Sequence, residues 1–418
     1  MNYNLNQQRA IDAKDTNMII KAPAGSGKTS TIVGAIEAYR KNNPQDKIVA
    51  ITFTRKAAGE LQERIKLLNI EISTIHSWSY RRLQQLAAEY NFSVNLLEDD
   101  VIKEILKKLC KLRKQHYINQ FQLFSYVMGN YNIDIDDKVR KTFETILSDY
   151  IKFKRKNMLY DFTDLPQYLY DKLKDYDERV VDIDALFVDE FQDVDPVQLE
   201  IFGLVDAKKK VYIGDPLQSI YQFRGAIEEV FDDLEGFTEY NLDVNYRSYQ
   251  EIIDYASTVN GAARIANEDG DIIEPADIQY FEPSDIVCER GKGGKVFIID
   301  DIGSCNCITD GNDFRPYSDI LTIQSLLTQS GTQILCRSNK QVKKLQAQGI
   351  ENVSTIHQAK GLEYNNIILV NFPIDNDEER NIAYVGMTRA KNNLCVINFE
   401  ILLYIICSEQ ITTTKKLF

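Results

Sequence analysis

The stretch 19-IIKAPAGSGKTSTI-32 decides the fold. An apolar run, Met18 to Ile20, enters it, and a helical pattern leaves it. A strand that turns through glycines into a helix N-terminus aims backbone N–H groups at an anion. Ala22, Ala24, Gly25, Ser26, Gly27, Lys28, Thr29 and Ser30 are therefore read as a cradle for nucleotide phosphates. In it Lys28 reaches the β- and γ-phosphates and the Thr29 hydroxyl binds Mg²⁺. The full pattern G-x-x-x-x-G-K-[ST] asks for glycine where Ala22 stands. The alternative, a glycine-rich turn with an incidental lysine, does not account for the strand before it and the helix after it. Kinases, switches, transporters and motors all use such a cradle, so its neighbours must say what the hydrolysis serves.

Short β-branched runs alternate with helical patterns on both sides of the cradle. Candidate strands are 18–22, 47–53, 185–190, 210–215, 295–300, 332–337, 366–372 and 393–399. Apolar strands separated by helices imply parallel sheets covered on both faces. They fall into two clusters either side of about residue 240, so the expected architecture is two α/β units. Residues 83 to about 165 differ, with long helical periodicity and few strand signals. In 101-VIKEILKKLCKLRKQ-115, Ile102, Ile105, Leu106, Leu109 and Leu112 share one face. This segment is expected to be a helical insertion into the first unit. Its charges read mainly as a solvated face, although 152-KFKRK-156 would suit a phosphate contact. No internal repeat or low-complexity segment is seen.

The 418 residues exceed one ordinary domain, and 44% are hydrophobic, enough for substantial cores. No apolar run has the length of a membrane span, and the polar N-terminus is not a secretory signal, so a cytoplasmic protein is expected (or a nucleoid-associated one, or one of the host cytoplasm if viral). Seven scattered cysteines fit a reducing compartment. Cys305 and Cys307 form a C-x-C pair with Cys288 upstream, without the partners of a metal site. The formal net charge of −13 speaks against a nucleic-acid coat protein. It leaves open a protein that grips a strand in one groove.

A hydrolase needs a carboxylate pair at a strand end, and 186-LFVDEFQD-193 supplies one. Asp189 is expected to hold Mg²⁺, and Glu190 to orient and deprotonate the attacking water. Adjacent buried carboxylates are costly unless paired or metal-bound, which disfavours a purely structural role.

With these residues in place the chain resembles the superfamily 1 DNA helicases of the UvrD/Rep/PcrA type, in order from about residue 3 to 391. The segment 3-YNLNQQRAI-11 is similar to the Q motif, with Gln7 aligned to read adenine and Gln8 as the alternative. The cradle resembles motif I, 51-ITFTRKAAGELQERI-65 motif Ia, and 73-STIHSWS-79 motif Ib. The run 161-DFTDL-165 resembles a further family element. VDEFQD resembles motif II, 213-IGDPLQSIYQFRGA-226 motif III and 245-NYRS-248 motif IV, with 334-ILCRSN-339 as its companion strand. Finally, 353-VSTIHQAKGLEY-364 is similar to motif V and 384-YVGMTRAK-391 to motif VI. The fold implied is two tandem RecA-like parallel-sheet domains, at 1–82 plus 166–238 and at 239–418, with a helical insertion at 83–165.

The resemblance implies roles residue by residue. Arg247 and Arg389 would be arginine fingers from the second unit, and cations there would stabilise charge on the transferred phosphoryl group. Gln218 would sense the γ-phosphate, Tyr246 would stack on adenine and Glu363 would meet the ribose. Lys360 and Gly361 would lie in a turn near the γ-phosphate and the strand. Single-stranded DNA, or a partial duplex, would be held by Phe53, Tyr221 and Phe223 through stacking. Thr52, Thr74, His76, Arg224, Thr355 and His357 would add phosphate or sugar contacts. Trp78 reads better as core, and His116 receives no role.

Three departures modify the expectation. Phe223 stands where relatives often carry tryptophan, and still stacks. Ser30 stands where many relatives carry an arginine that packs on adenine, so weaker discrimination between ATP and GTP is expected. Only 340-KQVKKLQAQGIENV-353 separates the motif IV companion from motif V, where relatives insert a large accessory domain. A minimal monomeric motor without that domain or an appended nuclease is therefore expected, moving 3′ to 5′. Closure and opening of a cleft between the units would drive the motion. The alternatives are a DNA-stimulated ATPase subunit of a repair or phage-defence complex, and a small-molecule kinase. The kinase leaves motifs Ia, III, V and VI unexplained.

Overall fold

The computed structural model describes residues 3–66, 69–129, 135–180, 182–221, 225–227, 230–232, 234–278, 282–301, 304–309, 313–317 and 319–406. At 137, 300, 301, 304–309, 313–317 and 319–322 only the backbone is described. The chain forms two compact units: Met1–Ile20, Thr29–Ile213 and Tyr221–Tyr240 make the first, and Lys21–Lys28, Gly214–Ile220 and Asn241–Phe418 the second. The expected 1–82/166–238 and 239–418 division thus differs by two residues at the boundary near 240 and at two short segments, Lys21–Lys28 of the cradle and Gly214–Ile220 of motif III. Both are tied by hydrogen bonds to residues beyond 240.

The first unit runs α1 (Leu5–Ile11), β1 (Asn17–Lys21), α2 (Lys28–Asn42), β2 (Ile48–Thr52), α3 (Arg55–Arg64), β3 (Ile70–Thr74) and α4 (Ile75–Tyr90). It continues with α5 (Asp99–Leu112), α6 (Gln120–Val127), α7 (Asp137–Asn157), α8 (Leu165–Asp175), β4 (Ala185–Val188), α9 (Pro196–Leu204), β5 (Lys209–Gly214) and β6 (Thr238–Asn241). The sheet order is β3-β2-β4-β5-β1-β6. The ladders from β3 through β5 are parallel, with Ile51 opposite Ser73 on one side and Val188 on the other. Every residue of β2 and β4 is buried, as expected where helices cover both faces of a parallel sheet. Trp78 is fully buried in this core, beside Leu83, Leu169 and Leu186.

The insertion α5–α7 carries its own core, with Ile102, Leu106, Cys110, Leu123, Phe143, Ile146 and Tyr150. The expected apolar face of α5 holds at Ile102, Ile105, Leu106 and Leu109, but Leu112 is 78% exposed, and Cys110 also lies inward. One member of the basic cluster 152–156 is not on the surface. The Lys154 ammonium is buried, 2.6 Å from Asp161 and 2.5 Å from Asp164.

The second unit runs β7 (Val244–Asn245), α10 (Gln250–Glu268), β8 (Val287–Cys288), β9 (Lys295–Asp301), β10 (Ser304–Thr309), β11 (Asp313–Tyr317) and α11 (Asp319–Thr328). It ends with β12 (Thr332–Cys336), α12 (Asn339–Gln346), β13 (Val353–Thr355), α13 (Ile356–Ala359), β14 (Tyr364–Val370), α14 (Asp377–Met387) and β15 (Ala390–Ile397). Its sheet order is β11-β10-β9-β15-β14-β12-β13. The ladders from β9 to β13 are parallel, and β10 and β11 extend that edge antiparallel. All eight expected strands form. The strands that the sequence did not signal are short or polar: β3, β6, β7, β8, β10, β11 and β13. Among the described residues no helix is long and apolar enough to cross a membrane. Cys110, Cys288, Cys336 and Cys395 are buried and form no disulfide.

Candidate nucleotide site and strand contacts

The cradle leaves β1 and enters α2 through two left-handed glycines, Gly25 at φ +71 and Gly27 at φ +80. Side chains other than glycine pay for that conformation. Gly25 has a second reason to be glycine: a Cβ there would sit 2.7 Å from Asn245 Nδ2 and 2.8 Å from Arg247 Cβ. The Ala22 methyl is fully buried and its N–H donates to the Gly214 carbonyl at 2.8 Å, so alanine fits there. Ala24 and Ser26 are buried, while Lys28, Thr29 and Ser30 open α2 half-buried.

The buried amide of Asn245 ties the cradle to motif IV. Its Nδ2 donates to the Ala24 carbonyl at 2.6 Å, and its Oδ1 accepts from the Arg247 and Ser248 N–H groups at 2.8 Å each. The Tyr246 N–H donates to the Gly25 carbonyl at 2.8 Å, and the Tyr246 ring is exposed, as an adenine platform must be. The Arg247 guanidinium donates to Glu363 at 2.9 Å and to the Thr388 carbonyl at 3.2 Å. Lys391 takes the other oxygen of Glu363 at 2.5 Å. Burial works to raise the Glu363 carboxyl, but the Lys391 hydrogen bond and the Arg247 charge hold it below the usual carboxylate range.

A second hub surrounds Gln218. Its Nε2 donates to Asp215 at 2.6 Å, its Oε1 accepts from Arg389 at 3.1 Å, and its carbonyl accepts from Lys360 at 2.9 Å. Arg389 is 2% exposed and also donates to the carbonyls of Val385 and Leu362. The structure therefore gathers the cradle from Ala22 to Lys28, Gln218, Tyr246, Arg247, Glu363 and Arg389 in one unit, while Thr29 and Ser30 fall in the other. Sequence reasoning missed Asn245, Lys391 and Asp215, although all three stand inside quoted motifs.

In the first unit, β4 delivers Asp189, whose carboxylate accepts from the Glu190 N–H at 2.9 Å. Glu190 itself is left-handed, at φ 54 and ψ 42, and its carboxylate accepts from Gln192 at 2.6 Å. A bulky residue held there costs energy, and such strain concentrates where function fixes a side chain. No group of three or more His, Cys, Asp or Glu that could hold a metal occurs among the described residues. Mg²⁺ in a nucleotide site needs few protein ligands, because phosphates and water complete its shell. A Thr29 hydroxyl and an Asp189 carboxylate are a fitting donor set.

Gln7 is buried, and its side chain accepts from the Asn4 N–H at 3.1 Å in a capping box on α1. Gln8 is exposed and donates to Asp12. Among the strand-contact candidates, Phe53 stacks on Tyr221 with ring centres 5.2 Å apart. His76 stacks on Phe162 at 5.2 Å, with the Arg55 guanidinium 5.6 Å from the same ring. Burial pushes the His76 imidazole down to about 4, against the opposing charge of Asp161. Thr52 is turned inward, 1% exposed, and Thr74 and Thr355 cap α4 and α13. His357 is half-buried at the start of α13. Phe223 and Arg224 lie outside the described residues.

Residues 3–238 match the UvrD/REP helicase N-terminal domain and residues 322–400 the UvrD-like helicase C-terminal domain. The chain belongs to the UvrD/Rep helicase family. Its α/β fold with parallel sheets is the one expected of the RecA-like domains of UvrD-type helicases. It is 26% identical to a probable DNA helicase of Mycoplasma pneumoniae, over 95% of this chain and 83% of the relative. It is 30% identical to the ATP-dependent DNA helicase Rep of Buchnera aphidicola, over 62% of this chain and 45% of the relative. It is 29% identical to DNA helicase II of Escherichia coli, over 60% of this chain and 39% of the relative. Against these two the chain spans less than half of the relative's length.

Proposed function

We propose that this UvrD-type chain is an ATP-dependent helicase and translocase on single-stranded DNA, moving 3′ to 5′. The observation that carries the reading is the hydrogen-bonded continuity of the cradle with Asn245, Tyr246 and Arg247. A kinase of small molecules leaves motifs Ia, III, V and VI unexplained. In the proposed reaction the cradle N–H groups and Lys28 hold the phosphates. Glu190 orients the attacking water and accepts its proton. Arg247 and Arg389 meet the charge that develops on the phosphoryl oxygens. Bound Mg²⁺, held by Thr29 and Asp189, would neutralise phosphate charge. Gln218 accepts from Arg389 on its side chain and from Lys360 on its backbone carbonyl, so a change at the γ-phosphate would reach Lys360 and motif V through one residue.

The test is ATP turnover with and without single-stranded DNA. DNA is expected to stimulate turnover, and Lys28→Ala or Glu190→Gln to lower it by about 100-fold or more. Turnover indifferent to DNA would overturn the motor reading. The same assay with GTP tests the shallow base pocket expected from Ser30, since strong ATP preference would remove it. One observation favours a second reading, a DNA-stimulated ATPase subunit of a larger complex. Only α12, of 8 residues, occupies the link between β12 and β13. Turnover stimulated by DNA without separation of a 3′-tailed duplex would select that reading.

A further inference from the structure

Two cations share one carboxylate beside the cradle. Arg247 Nε lies 2.9 Å from one oxygen of Glu363 and Lys391 Nζ 2.5 Å from the other. The backbones carrying both cations are pinned by the same residue. Arg290 Nη1 donates to the Arg247 carbonyl at 2.9 Å and to the Lys391 carbonyl at 2.8 Å. Asn245 fixes the Arg247 N–H as well. The stem of Arg247 lies so close to Gly25 that a Cβ there would meet it at 2.8 Å. With its backbone fixed beside the cradle, Arg247 can change partner only by swinging its guanidinium.

We infer that Lys391 is a positioning residue for nucleotide turnover: it neutralises Glu363 when Arg247 leaves that carboxylate for the phosphates. Neither the motif roles nor the family match assigns Lys391. The inference rests on the proposed ATPase reading and adds a resting state to it. Arg247 is parked on Glu363 until a phosphate competes for it. Release would strand a partly enclosed carboxylate without a counter-ion, which is unfavourable. Lys391 already sits on the second oxygen and stays there, so the exchange leaves no bare charge.

The test is a double-mutant cycle on DNA-stimulated kcat at saturating ATP, where the expected ribose contact of Glu363 no longer limits the rate. Lys391→Met is expected to lower kcat roughly fivefold, the scale of a partly exposed ion pair. Lys391→Arg should restore it to within about twofold of wild type. Glu363→Gln removes the parking site, so it should raise turnover without DNA, and Lys391→Met added to it should have little further effect. A readout without nucleotide accompanies these: the Glu363 carboxyl, followed by carbon NMR in the ligand-free protein, should titrate at higher pH in Lys391→Met. Unchanged kcat in Lys391→Met, a loss that Glu363→Gln does not suppress, or an unmoved Glu363 titration would each overturn the inference alone. Absence of any Lys28-dependent turnover in the wild type would overturn the ATPase reading and this inference with it.

Discussion

The tetrapeptide Ser-Thr-Ile-His occurs twice, at 73–76 in the first unit and at 354–357 in the second. Each copy ends an edge strand, β3 or β13, and starts a helix. The two threonines share one conformation, φ −81 and ψ 157 at Thr74, φ −78 and ψ 157 at Thr355. Each side chain accepts from the N–H three residues on. Past the histidine the two copies diverge. In the first copy α4 runs for 16 residues in all, from Ile75 to Tyr90, burying Trp78 and Leu83. After His357, α13 stops at 4 residues. Lys360 then reaches the Gln218 carbonyl, Gly361 turns at φ +80, and Glu363 meets Arg247 and Lys391. One corner is anchored, and the other is wired to the nucleotide hub. The same local instruction thus serves a rigid part and a responsive part, and the residues beyond the fourth decide which.

The largest expected effects come from the buried isoleucines. Ile75 is 3% exposed and Ile356 is fully enclosed, lying close to Gly386. Truncation to alanine should cost about 2–4 kcal/mol in either unit, the range for a large-to-small change in a packed core. Urea unfolding would measure both. A cost well under 1 kcal/mol at Ile356 would mean that the second corner is not part of its unit's core, and the likeness would be only local.

Next come the caps. Thr74→Ala and Thr355→Ala should each destabilise by about 1 kcal/mol, the usual cost of an N-cap. Only Thr355→Ala should also lower ATP turnover, because its helix sets the start of the loop that carries Lys360 and Glu363. Equal losses of turnover in the two variants would break the distinction between anchored and wired corners.

The contrast also marks what could be read without coordinates. Long apolar runs such as 48–52 and 185–188 declared themselves, because full burial on both faces leaves only β-branched and apolar residues there. β13 did not, since three residues carry no periodicity, and the repeated Ser-Thr-Ile-His became a repeat only once both copies were seen at strand ends. At the site, Lys28, Asp189 and Arg389 were legible from residue type and motif order. Asn245 was not, because its work is done by a side-chain amide across more than two hundred residues of sequence. Nor was Lys391, since a lysine after 388-TRA-390 reads as ordinary surface charge until its distance to Glu363 is known. The buried Lys154 misled in the opposite sense, since a basic run conceals an ammonium satisfied by Asp161 and Asp164.

The smallest effect tests what anchoring does to the first histidine. The His76 imidazole is held at about 4, below its ordinary 6.5, by burial beside Phe162. The folded protein therefore resists protonation that the unfolded chain accepts. The stability tied to this neutral ring is complete above pH 6.5 and is lost as the pH falls toward 4. The slope is at most about 1.4 kcal/mol per pH unit, and less here because the ring is not fully enclosed. Thermal unfolding between pH 7 and pH 5 should show His76→Gln losing less stability than wild type. Phe162→Leu, which opens one face of the ring to water, should fall between them. A His76→Gln curve parallel to wild type would show that the anchored corner does not hold its histidine neutral. It would also remove the reason to expect DNA contact there through an uncharged imidazole, leaving Arg55, 5.6 Å from the Phe162 ring centre, as the charge available to a phosphate at that corner.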